Sequence, residues 1–135
     1  MKIAVDFDGT IVEHKYPAIG EPKPFALETL RMLQKKHQLI LWTYRSGKYL
    51  EDAVEFCKKN GIEFYAINKN YPEEEFNPAT TSRKIDADIY IDDKNLGGIP
   101  DWGVIYRMIE PDENFELENK LLKRKKGFLR RLLGL

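Results

Sequence analysis

The chain has 135 residues and a mass of 15.8 kDa, with 42% hydrophobic, 12% aromatic and 33% charged residues. This size and balance predict a soluble globular protein with one core, because a second core would leave each half near the size limit for stability. The apolar runs are too short to span a bilayer, which excludes a transmembrane protein. Early acidic residues argue against a secretory signal, and a single cysteine fits a reducing compartment. We therefore expect a cytoplasmic protein.

The charges are unevenly placed, although the formal net charge is zero. Residues 120–135 hold seven basic residues and no acid, so residues 1–119 carry a net charge of about −7. A body of this charge repels polyanions, and nucleic acid is not an expected partner. The sequence predicts a globular domain over residues 1–119 and a separate basic tail over residues 120–135.

Strand and helix patterns alternate along the first part of the chain. Apolar spacing predicts one helix from Pro24 to His37 and a second through Leu50 and Cys57. Short runs of apolar, β-branched and aromatic residues predict five strands, at residues 2–6, 38–43, 63–67, 87–91 and 103–106. This order predicts an α/β fold, a Rossmann-like, doubly wound and mostly parallel five-stranded sheet with helices on both faces.

Polar side chains come directly after three of the predicted strands. Because the carboxyl ends of parallel strands lie along one edge of a sheet, we expect these side chains to converge. They are Asp6, Asp8, Thr43, Asp92 and Asp93.

Such a convergence has a specific chemistry. Clustered carboxylates repel one another unless a cation lies between them, and an all-oxygen set is the coordination that Mg²⁺ prefers. The metal would draw a phosphate into the acidic cleft, where the Thr43 hydroxyl and the Lys84 ammonium could hold its oxygens. A carboxylate can also attack phosphorus and form an aspartyl-phosphate that water hydrolyses.

The order of these motifs resembles the haloacid dehalogenase (HAD) superfamily of phosphohydrolases over residues 1 to about 107. The matching residues are the DFDGT sequence that begins at Asp6, then Thr43, Lys84 and the IDD sequence that ends at Asp93. The resemblance implies the same HAD-like fold and a magnesium-dependent phosphatase that hydrolyses a phosphate monoester.

The resemblance also implies a role for each matching residue. Asp6 corresponds to the nucleophile and a Mg²⁺ ligand, and Asp8 to the general acid and base, whose backbone carbonyl contacts the metal. Thr43 corresponds to the phosphate-binding hydroxyl. Either Asp92 or Asp93 corresponds to the acidic metal ligand, and the sequence does not choose between them.

Two basic assignments have alternatives. Lys84 corresponds to the phosphate-binding lysine and is favoured because it leads into the strand that ends at Asp92, but Lys69 follows the third strand and is a rival. Arg45 lies close to Thr43 and either binds a substrate phosphate or is a solvated surface arginine.

The spacing leaves no room for the cap domain that many members of the superfamily insert. We therefore predict a capless site, with residues 12–23 as a flap that contains His14. An open site admits a bulky phosphorylated substrate, or a small one covered by an oligomer partner, with a small molecule favoured. The alternative function is a signalling or binding module that holds phosphate on aspartate without turnover, although an acid such as Asp8 would serve no purpose there.

The tail interleaves apolar residues with its cations, as a basic amphipathic helix does. The favoured interpretation is packing on this domain or on a second copy in a homo-oligomer, and an anionic membrane surface is the alternative. The apolar positions are Leu117, Leu121, Leu122, Phe128, Leu129, Leu132, Leu133 and Leu135.

Overall fold

The structure is a computed structural model that describes the backbone of residues 1–134 and the side chains of residues 1–113 and 122–134. Two compact units are distinguished, Met1–Trp102 and Gly103–Leu135. The first unit carries all the site residues that the sequence predicts.

The first unit is built on a parallel sheet of four strands in the order β3-β2-β1-β4. Ile3 of the central strand pairs with Leu39 on one side and with Ile89 on the other. The central strand is buried from Ile3 to Val5 because it has a neighbour on both sides. The strands are β1 (Lys2–Val5), β2 (Gln38–Leu41), β3 (Ala66–Ile67) and β4 (Ile89–Ile91).

Two amphipathic helices connect the first three strands. Helix α1 (Ala26–Leu33) buries apolar residues at helical spacing, and α2 (Gly47–Lys59) buries Ala53 and Cys57, one turn apart. Helix α2 ends before Gly61, whose positive φ of 79° favours glycine. The α/β class and the parallel arrangement therefore agree with the prediction.

A cluster at one register holds one face of the sheet together. Ala4, Ile40 and Ala66 lie side by side on β1, β2 and β3, and Ile85 packs on them from the chain before β4. Trp42 packs against the same cluster from just beyond β2. This packing brings the ends of β1, β2 and β4 to the same edge.

The predicted fifth strand is wrong. Residues 103–106 lie within helix α3 (Trp102–Ile109), in which Trp102 and Ile105 are buried. A short apolar run does not distinguish a strand from a buried helical turn, and the three-residue spacing of these two side chains is helical. The third strand is also shorter than predicted, because only Ala66–Ile67 pairs with β2.

The second unit contains helix α4 (Pro111–Leu132), which includes most of the predicted tail. The helix begins before residue 120, and Gly127 does not interrupt it. Phe128, Leu132 and Leu133 are exposed, whereas Leu117, Lys120, Leu121 and Leu135 fall outside the described side chains. No helix in the described part of the chain is long and apolar enough to cross a membrane.

Candidate functional site

Three carboxylates meet where β1 and β4 end. Asp6 follows β1 directly, and Asp92 and Asp93 follow β4. The strands are neighbours in the sheet, and the backbone N–H of Asp6 donates to the carbonyl oxygen of Ile91 at 3.0 Å. One oxygen atom from each of the three carboxylates lies within 4.8 Å of the other two. The predicted convergence of these acids is therefore present.

The buried hydroxyl of Thr10 links two of these acids. Its Oγ1 lies 3.1 Å from Oδ2 of Asp6 and 2.9 Å from Oδ1 of Asp93, and it accepts a hydrogen bond from the backbone N–H of Asp93 at 3.0 Å. One hydroxyl proton serves only one carboxylate at a time. The carbonyl oxygen of Thr10 is fixed by the indole N–H of Trp102 at 2.9 Å.

The crowding of negative charge changes the ionisation of Asp6. Burial, followed by the charge of Asp92 and a hydrogen bond with Asp93, raises the pKa of Asp6 from 3.8 to about 7. Burial also acts to raise the pKa of Asp93, but hydrogen bonds with Thr10 and Asp6 outweigh it and lower that pKa. Asp6 is therefore the member of the group that holds a proton most readily when no cation is present.

Gly9 makes room for this arrangement. Its φ is +82°, in the left-handed region, and a Cβ atom there would overlap Oδ2 of Asp93 and the ring of His14. The His14 Nε2 itself lies 3.6 Å from Oδ2 of Asp93. A larger residue at position 9 would push apart the turn and the acidic group.

Asp8 faces a different partner. Arg45 binds its carboxylate with two hydrogen bonds, Nε to Oδ2 at 2.7 Å and Nη2 to Oδ1 at 2.8 Å. This is the fork geometry of a strong arginine–carboxylate pair, and it raises the pKa of Arg45 above its ordinary value. Asp8 is therefore paired with a cationic side chain, unlike the three clustered acids.

Arg45 is buried, with 1% of its surface exposed, and its remaining N–H groups are also used. Nη1 donates to the carbonyl oxygens of Pro17 and Tyr49 at 3.0 and 3.1 Å, and Nη2 donates to that of Ala18 at 2.9 Å. All five guanidinium donors thus have acceptors in the protein. Arg45 is not a solvated surface residue, and it ties Asp8 to the flap and to α2.

Thr43 lies beside this pair at the end of β2. Its backbone N–H donates to Oδ1 of Asn68 at 2.8 Å, and its hydroxyl accepts the backbone N–H of Arg45 at 3.1 Å. The Thr43 hydroxyl also carries a proton, which it can donate to a bound ligand. Thr43 therefore lies where the sequence predicts a phosphate-binding hydroxyl.

The lysines are placed less simply. The Nζ of Lys84 lies over the ring of Tyr90 at 5.4 Å from its centroid, and Lys69 follows Asn68 beyond β3. The lysine that lines the cleft beside Asp92 is Lys94, which the sequence analysis missed. The sequence signal that could have identified Lys94 is its position directly after Asp92 and Asp93, at the same edge of the sheet.

The acids open into a cleft of about 730 Å³. Asp6, Asp8, Thr43, Arg45 and Asp92 contribute to its wall, so the structure brings together five of the predicted residues, whereas neither Lys84 nor Lys69 lines it. The full lining is Asp6, Asp8, His14, Tyr16, Trp42, Thr43, Tyr44, Arg45, Asp92 and Lys94.

Comparison with known proteins identifies a similar solved structure that covers most of the chain. The chain is similar to a solved structure described as the conserved protein coded by locus from Bacteroides thetaiotaomicron. The two share 62% sequence identity over 82% of this chain and 90% of that chain, with a TM-score of 0.77. The chain belongs to the family of that Bacteroides protein. No protein-family model and no curated protein matches it.

In this member of the family, the acidic group fits a hard divalent cation. All three side chains offer carboxylate oxygen, the donor type that Mg²⁺ prefers, and the pKa of Asp6 is raised by its burial and then by repulsion from the charge of Asp92. A cation between them would remove that repulsion. The Asp8 carboxylate is bound to Arg45 instead and is not a member of this group.

Proposed function

We propose that the protein is a HAD-type, magnesium-dependent phosphatase that hydrolyses a phosphate monoester through a phosphorylated Asp6. The observation that supports this most is the contrast between two carboxylates only two residues apart. Asp6 belongs to the acidic group, whereas Asp8 is held by a buried arginine. Two carboxylates in different environments suit the different roles of nucleophile and acid–base group.

The first step uses Asp6 as the nucleophile. Its carboxylate attacks phosphorus, the bond between phosphorus and the leaving oxygen breaks, and that oxygen takes up a proton from the protonated form of Asp8. A cation held by Asp6, Asp92 and Asp93 would supply charge neutralisation for the phosphoryl oxygens and favour the ionised form of Asp6. The Thr43 hydroxyl, at the end of the neighbouring strand, donates to a phosphoryl oxygen.

The second step uses Asp8 as a base. Water attacks the phosphorus of the phosphorylated Asp6, Asp8 takes its proton, and the bond to the Asp6 oxygen breaks to release phosphate. The two hydrogen bonds from Arg45 hold the Asp8 carboxylate in place, and this step requires its ionised form. Donating a proton in the first step requires the other form, so we expect faster phosphorylation by esters with good leaving groups.

The test is a panel of phosphate esters assayed for phosphate release, with and without Mg²⁺, using the wild type and Asp6→Asn. We expect magnesium-dependent release by the wild type and a loss of at least about 1000-fold in the variant. Asp86→Asn is the matched control, because Asp86 is exposed and does not line the cleft.

Two results would overturn the proposal. One is activity of Asp6→Asn within tenfold of the wild type. The other is a stable phosphorylated wild-type protein without phosphate release, detected by intact mass, which would indicate the signalling module instead.

A further inference from the structure

The cleft has an aromatic rim that the chemistry at phosphorus does not use. Tyr16, Trp42 and Tyr44 line it together with the acids, and Tyr49 packs against Tyr16 from behind. Single exposed aromatic residues are common on protein surfaces, but three of these four line one cleft. An aromatic cluster beside a phosphate-type site suits a ligand that has both a phosphate and an apolar face.

Tyr44 is the most exposed of these residues, with 96% of its surface accessible. The residues on either side of it are fixed, since Thr43 is hydrogen-bonded to Asn68 and Arg45 is buried with five donors in use. An exposed ring on such a fixed backbone is presented to the cleft at little further cost in backbone entropy.

Tyr16 is fixed by its own side-chain contacts. The guanidinium of Arg45 lies 5.1 Å from its ring centroid, and the ring of Tyr49 meets it edge to face at 5.6 Å and 71°. Even so, 48% of Tyr16 is accessible to solvent. Its ring is therefore a preformed apolar surface across the flap side of the cleft.

We infer, on the basis of the proposed phosphatase, that the substrate is a nucleoside monophosphate whose base stacks on Tyr44 and Tyr16. Planar bases stack on aromatic side chains. A sugar phosphate has no planar base and therefore stacks on them less strongly. Arg45 is already paired with Asp8, which leaves Lys94 as the remaining lysine or arginine of the described lining to offset negative charge, and this disfavours additional phosphates. The negative body likewise disfavours a polynucleotide.

The experiment compares a nucleoside 5′-monophosphate with ribose 5-phosphate, which has the same phosphorylated sugar without the base. Values of kcat/KM are measured with Mg²⁺ for the wild type, Tyr44→Ala, Tyr44→Phe and the control Tyr71→Ala. Tyr71 is also exposed, with 46% of its surface accessible, but does not line the cleft.

We expect the wild type to prefer the nucleotide, and Tyr44→Ala to lose about tenfold or more in kcat/KM for the nucleotide but less than about twofold for ribose 5-phosphate. Tyr44→Phe and Tyr71→Ala should retain the preference. Equal rates for the two substrates, or a preference that Tyr44→Ala leaves unchanged, would overturn the inference and leave the phosphatase in place. Cleavage of aryl phosphates but not of nucleotides would also overturn it.

A binding measurement separates this inference from the proposed function. Calorimetry of the same nucleotide with Asp6→Asn, and with Asp6→Asn combined with Tyr44→Ala, needs no turnover. Weaker binding by the double variant supports the aromatic subsite even if no ester is hydrolysed. No binding to Asp6→Asn or to the wild type would refute the subsite.

Discussion

Replacing Asp6 by asparagine should stabilise the cation-free protein at pH 8 and leave its stability unchanged at pH 4. In the folded protein the pKa of Asp6 is about 7, raised first by burial and then by Asp92, against 3.8 as the ordinary value. As the pH rises from about 4 to 7, the unfolded chain releases this proton before the folded one does. The free energy of unfolding therefore falls over that interval and stays lower above it.

The magnitude follows from the size of this difference. A rise from 3.8 to about 7 corresponds to at most about 4 kcal/mol, at about 1.4 kcal/mol for each pKa unit. Asp6 is partly accessible to solvent, so screening reduces the expected effect to about 2 kcal/mol. Asparagine cannot ionise, and its amide can replace the proton that Asp6 shares with Asp93.

The assay is thermal unfolding of the wild type and Asp6→Asn in chelator at pH 4, 6 and 8, repeated at pH 8 with Mg²⁺. We expect Asp6→Asn to melt about 8 °C higher at pH 8 in chelator, and Mg²⁺ to stabilise the wild type more than the variant. Asp86→Asn should follow the wild type. Equal melting temperatures for wild type and Asp6→Asn at both pH 4 and pH 8 would refute the reasoning.

Four other changes test the remaining contacts. Arg45→Lys removes the fork and should lower kcat at least about tenfold and shift its pH profile, whereas an unchanged profile would deny Arg45 a positioning role. Gly9→Ala should weaken Mg²⁺ binding in calorimetry and lower the free energy of unfolding by about 1–3 kcal/mol, and unaltered affinity would contradict the crowding argument. Lys94→Ala, which removes the lysine that lines the cleft, should reduce kcat/KM more than Lys84→Ala, and the reverse ranking would return the phosphate role to Lys84. Deleting residues 120–135 should preserve kcat. If sedimentation shows that only the full chain binds anionic liposomes, and that it binds less at high salt, the membrane alternative holds. Lower stability of the truncated chain, without liposome binding by the full chain, favours packing of the tail instead.

The sheet was predictable where hydrophobic runs and strand pairing coincide. The strands around Ile3, Leu39 and Tyr90 were found because each is an apolar segment that ends in a polar turn. The segment around Ile105 has the same composition, yet it is helical. Composition alone does not separate these cases, because the difference depends on whether a neighbouring strand is free to pair.

The site was predictable to the extent that it follows from strand ends. Asp6 and Asp92 meet because parallel strands end at one edge, a rule that needs no knowledge of side-chain packing. The contacts of Arg45 were not predictable in this way. Its acceptors include the carbonyl oxygens of Pro17 and Ala18, whose positions depend on the path of the flap and leave no pattern in the sequence.

The hydrogen bond between Thr10 and Asp93 joins positions 83 residues apart in the chain. This contact closes one of the longest loops in the first unit. The entropy lost in ordering so long a loop opposes early formation of the contact during folding. A chain that has paired β1 with β2 but not with β4 would hold Asp6 without Asp92. The rate at which cation binding recovers after dilution from denaturant would therefore report the pairing of β4 with β1 rather than the collapse of the core.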